Sequence, residues 1–128
     1  MKFKVSFFEE RFVDAIGAGI YSISLRTGQG EQLLYIGESV FVLVRCAAHL
    51  YEISKGNGYF GFTKDYLGRE DITIVFRLIE VEQDKAERVS RETGYVKELE
   101  PKMQSGIKDR VKSVEDMISE MTYLLDQE

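Results

Sequence analysis

The chain is short of the features that anchor a protein from outside. Its single cysteine, Cys46, cannot close an internal disulfide, which fits a reducing, cytoplasmic setting. Its apolar runs are too short and interrupted to cross a bilayer, so no membrane is expected. Glu9, Glu10 and Arg11 break the amino-terminal stretch before it could serve as a signal peptide. Internal repeats and low-complexity tracts are both missing. An excess of positive charge is missing too: residues 1–112 hold 17 basic and 17 acidic side chains, and residues 113–128 hold five acids and no base. Affinity for a phosphate backbone comes mainly from Lys and Arg, so a balanced body with an acidic tail predicts weak, salt-sensitive binding to nucleic acid.

What is present suits one compact domain. In 128 residues, 44% are apolar and 30% charged, enough for a single sizeable core. Phe3, Val5 and Phe7 alternate with Lys2, Lys4 and Ser6, predicting a short strand before a helical turn near residues 9–16. "GIYSISLR", "TGQGEQ" and "LLYIG" read as strand, turn and strand, a β-hairpin that could set Tyr21 and Tyr35 on one face. Ser39 is then a plausible cap for a largely buried helix to about residue 54, stopped by "KGNG". Arg45 and His49, four residues apart, share a face of it.

The glycine-rich stretch from Lys55 to Asp71 reads as a long loop with one helical turn near residues 63–67, its aromatics packed inward in preference to stacking bases. "DITIVFRLIEVE" is the strongest strand, apolar on both faces and so central. A helix from about Gln83 follows, bent or interrupted at Gly94 and halted before Pro101. From Ile107 the apolar positions fall at a heptad-like spacing, which predicts an amphipathic helix over 107–128, packed on the domain or used for a homodimer or partner protein.

Singly, a strand tyrosine, a helix histidine or a helix glutamate is ordinary. Together, "GIY" at 19–21, "YIG" at 35–37, Arg45, His49 one turn later, and Glu92 in "ETGYVKELEPKMQ" resemble the GIY-YIG endonuclease domain. The resemblance covers residues 17–104. It implies an α/β fold of the α+β type: a three-stranded antiparallel sheet flanked by helices, with an N-terminal extension at 1–16 inside a domain spanning 1–106.

The same resemblance implies metal-dependent hydrolysis of DNA, leaving a 3′ hydroxyl and a 5′ phosphate. Glu92 would hold Mg²⁺ or Mn²⁺, since Mg²⁺ often takes one carboxylate plus water and substrate phosphate. Arg45 would offset charge building on the phosphate, and Tyr21 or Tyr35 would be the general base, with His49 receiving a tyrosine proton or hydrogen bond. Three departures stand against full vigour. Glu38 occupies a position where many members carry lysine, Gln104 replaces the usual asparagine, and the gap between the tyrosines is slightly long. A noncatalytic nucleic-acid- or protein-binding module retaining the fold is the alternative.

Overall fold

In the computed structural model, which describes residues 2–104, a four-stranded sheet lies between helices. Strands β1 (Lys4–Phe7), β2 (Gly19–Thr27) and β3 (Gly30–Ser39) precede helix α1 (Val42–Ser54). A small hairpin, β4 (Asn57–Tyr59) and β5 (Phe62–Thr63), leads to helix α2 (Lys64–Leu67). Strand β6 (Thr73–Val81) and helix α3 (Lys85–Leu99) complete the order. The main sheet runs β1-β6-β2-β3. Its last three strands are antiparallel, as the sequence predicts, while β1 adds a fourth strand parallel to β6. The amino terminus is therefore part of the sheet: β1 pairs with β6, and Phe3 and Phe7 pack against the core while Val5 stays exposed.

The two faces of the sheet are covered differently. Tyr21, Ile23 and Leu25 of β2 join Ile74, Phe76 and Leu78 of β6 in the core, against Val42, Cys46 and Ile53 of α1. On alternate positions, Ile20 and Glu38 form the row over which α3 lies: Arg88 reaches Glu38, and Tyr95 and Arg91 both reach Glu80, the β6 partner of Ile20. β2 is buried along nearly its whole length, which is why its serines as well as its apolar residues are shielded.

Three local expectations are corrected. Gly94 does not interrupt α3, because its missing side chain faces open space and the helix runs through to Leu99 before Pro101. Ser39 ends β3, its Oγ accepting the Phe41 N–H at 2.9 Å, and α1 begins three residues later, at Val42, without a side-chain cap. The long loop contains a two-strand hairpin, and the expected turn of helix is α2, capped by Thr63 Oγ1 accepting the Tyr66 N–H. The helical turn expected near residues 9–16 forms as a 3₁₀ turn, Asp14–Ile16. The heptad-like segment 107–128 lies outside the described residues, and so does the boundary at 106. Among the described residues no helix is long and apolar enough to cross a membrane.

Candidate active site

The GIY and YIG tripeptides meet across the β2–β3 pair. Tyr21 faces Gly37 and Ile23 faces Tyr35, so the two tyrosines are diagonal neighbours on one face, with ring centroids 6.2 Å apart. Glycine is required beside them for space. A Cβ on Gly37 would come within 2.4 Å of Tyr21 Oη and 2.9 Å of Tyr35 Cε2. One on Gly19 would meet the Glu80 carbonyl oxygen at 2.5 Å. Tyr21 thus lies across Gly37, and β6 closes on Gly19. Bulges beside Tyr21 on the β6 side and after Ile23 on the β3 side bracket this segment and set its aim.

Helix α1 delivers the next two groups. Its inward residues fall at Val42, Arg45, Cys46, His49 and Ile53, one helical stripe, so Arg45 and His49 enter an otherwise apolar face. His49 Nε2 lies 2.8 Å from Tyr21 Oη, and its Nδ1 lies 2.8 Å from Tyr59 Oη on β4. The Tyr35 ring stands edge-on to His49 at 5.5 Å, and Phe60 packs on both. Burial pushes the Tyr21 phenol well above its usual value near 10, with Cys46 and Tyr35 adding to the rise; a hydrogen bond and the charge of Arg45 oppose it without prevailing. The buried Cys46 thiol is likewise driven up by burial, and so is an inert packing group.

Contacts therefore join Tyr21, Tyr35, Arg45 and His49. Glu92 is carried by α3 on the other side of the sheet, one turn past Arg88, whose Nε holds Glu38 at 2.7 Å beside Gly37. Through Glu38 the end of β3 touches α3, and beyond Ser39 the chain enters the first turn of α1, which bears Arg45. All five candidates are only 1–5% exposed. A phosphate reaching them must displace cover, and the β4–β5 turn supplies part of it through Phe60.

Two departures from the family pattern acquire partners. The Glu38 charge is matched by Arg88, whose Nη1 also donates to the carbonyls of Glu82 and Gln83, so Glu38 itself is compensated. Gln104 clamps the free edge of β3 between Tyr35 and Gly37: its Oε1 accepts the Ile36 N–H at 2.9 Å and its Nε2 donates to the Ile36 carbonyl at 2.8 Å. Arg88 and Tyr59 were not singled out as site residues by sequence reasoning. Arg88 lies one turn before Glu92 and could have been sought as the counter-charge to Glu38, whereas Tyr59 stands out in the sequence only as one of the loop aromatics that could stack bases, with no sign of its bond to His49.

Among the five candidates, Glu92 is the one carboxylate that could ligate a metal ion. Among the described residues no group of three or more His, Cys, Asp and Glu side chains gathers as a cage. A buried carboxylate such as Glu92 fits an ion held by one protein oxygen with water and substrate phosphate, and fits no closed structural site. A surface hollow of about 600 Å³ opens at the far end of the β2–β3 hairpin, lined by Thr27, Gln29, Glu31, Tyr66 and Arg69 among others. It contains none of the five candidates, and its charges pair with neighbours, Arg69 with Asp71 and Glu31 with Arg77. Of the loop bases, Lys55 pairs with Glu52.

Comparison with family models, with curated proteins and with solved structures finds no match for the chain. The resemblance read in the sequence therefore rests on the sequence motifs alone.

Proposed function

We propose that this protein is a divalent-metal-dependent DNA endonuclease of the GIY-YIG type, acting in the cytoplasm. The observation that carries the reading is the bond between Tyr21 and His49, made where Gly37 leaves room for the phenol and Arg45 stands beside it.

Tyr21 and Tyr35 frame the position of the attacking water, and Tyr21 is the tyrosine that exchanges a proton, since His49 is bonded to it. Arg45, always charged, stabilises negative charge building on the phosphate oxygens and binds them through two N–H groups, which a lysine does not reproduce. Glu92 would hold Mg²⁺ or Mn²⁺, which when bound polarises the scissile phosphate. Phe60 and its hairpin keep bulk water from the site. To test this, plasmid and branched DNA are incubated with the protein and Mg²⁺ or Mn²⁺. Arg45→Ala and Glu92→Ala are each expected to slow cleavage at least about a hundredfold, with Arg45→Lys also impaired; variants that cut at the wild-type rate would refute the mechanism.

The second reading, a noncatalytic binding module for nucleic acid or protein, draws on the near-complete burial of all five residues and on the balanced charge. It predicts no cleavage with any metal, and association, as a homodimer or with a partner protein, that is lost when residues 107–128 are removed.

A further inference from the structure

A single imidazole joins two phenols in this site. Tyr21 Oη stands 2.8 Å from Nε2 of His49, and Tyr59 Oη stands 2.8 Å from Nδ1. We propose that Tyr59 is a positioning residue forming the outer member of a proton relay, Tyr21–His49–Tyr59, and that it fixes the tautomer in which His49 receives the proton of Tyr21. This rests on the nuclease reading and adds to it a residue from the glycine-rich hairpin.

Counting donors gives the direction. Arg45 only donates, so its hydrogen bond to Tyr21 occupies a lone pair of Oη. The Tyr21 hydroxyl keeps its own proton and directs it to Nε2. A neutral His49 that accepts at Nε2 carries its hydrogen at Nδ1 and donates it to Tyr59 Oη. Burial follows the same order, with Tyr21 and His49 sealed and Tyr59 half-buried. The chain of bonds leads from the interior toward solvent. Polar and titratable groups that face His49 include Tyr21 of β2, Tyr35 of β3 and Tyr59 of β4, while Arg45 and Cys46 lie on its own helix.

Proton bookkeeping closes in one turnover. Water forms the new P–O bond and gives a proton to Tyr21 Oη while the original Tyr21 proton passes to Nε2. The Nδ1 proton then moves to Tyr59 Oη, whose own proton leaves to solvent. The P–O bond to the 3′ oxygen breaks, and that oxygen takes a proton from solvent. Tyr21 is never a free phenolate, which its buried setting disfavours. Afterwards His49 holds its hydrogen at Nε2 and Tyr21 at its new proton; reversal of the tautomer through Tyr59 resets the site.

His49 is the only histidine, so ¹⁵N NMR reads its ring nitrogens without ambiguity. Wild-type protein at neutral pH is expected to carry the hydrogen at Nδ1. Tyr59→Phe, which keeps the ring and deletes only the hydroxyl, is expected to move it toward Nε2 and to lower kcat at least about tenfold with KM unchanged. A wild-type ring protonated at Nε2 overturns the relay without any variant. So does active wild-type protein whose kcat or tautomer is untouched by Tyr59→Phe. Wild-type protein that has the Nδ1–H tautomer and cuts no DNA instead overturns the nuclease reading, and shows that the failure lies there.

Discussion

Tyr21 is a phenol kept neutral by burial, and this has a consequence in alkali. Its folded pKa lies well above the unfolded value of about 10, and that of Cys46 above about 8.5. Each group therefore lends stability that is fully present below its unfolded pKa and is lost as pH rises toward its folded pKa. Each proton so held steepens the loss by about 1.4 kcal/mol per pH unit. Tyr21→Phe should be less stable than wild type at about pH 8, where it lacks the His49 bond, and should lose less on going to about pH 11. Urea midpoints at the two pH values measure this, and an equal loss in both proteins would contradict it. The pairing of glycine with tyrosine also belongs to this scale. The sequence shows the tripeptides, but only the packing shows that Gly37 is there because Tyr21 lies across it.

The elements divide between what period and turn chemistry predict and what they do not. Hairpin, buried helix, central strand and charged helix were all legible, because alternation in β2 and β3, the apolar run of β6 and the 3.6-residue stripe of α1 each leave a pattern. The parallel pairing of β1, the bulges beside Tyr21 and the β4–β5 hairpin were not, since they depend on distant partners. Gly94 misled for a plain reason: glycine is a weak helix former, yet α3 is held by Arg88, Arg91 and Tyr95 reaching the sheet. Because a side chain there meets nothing, Gly94→Ala should raise stability by about 0.5–1 kcal/mol, read from urea unfolding; destabilisation would show that the position is constrained. In the hairpin, Phe60 adopts φ 53° between Gly58 and Gly61 at φ 95° and 83°. Phe60→Gly and Phe60→Ala lose the same contacts with Tyr35 and His49, but glycine accepts this backbone freely. The glycine variant should be the more stable by about 1 kcal/mol in thermal or urea unfolding, and the reverse order would show that Phe60 is not strained.

At the scale of the molecule, the candidate groups are carried on both covered faces of one sheet. Tyr21, Tyr35, Arg45 and His49 come from the α1 face, and Glu92 comes with α3. The residue set was visible in the sequence through order and spacing, while the degree of closure was not. Every candidate is only 1–5% exposed, so on the nuclease reading DNA would enter by moving cover that includes the Phe60 hairpin. On the nuclease reading, balanced charge adds that binding should be weak and its salt dependence shallow, since few phosphate contacts would hold the duplex. The most direct measurement is single-turnover cleavage of branched DNA in Mg²⁺ by wild-type protein and by folded Tyr21→Phe, with and without a chelator. A phosphodiester-hydrolysing site built on Tyr21 predicts cleavage that the chelator abolishes and that Tyr21→Phe slows at least about a hundredfold; equal cleavage by both proteins, or none by wild type, would contradict it.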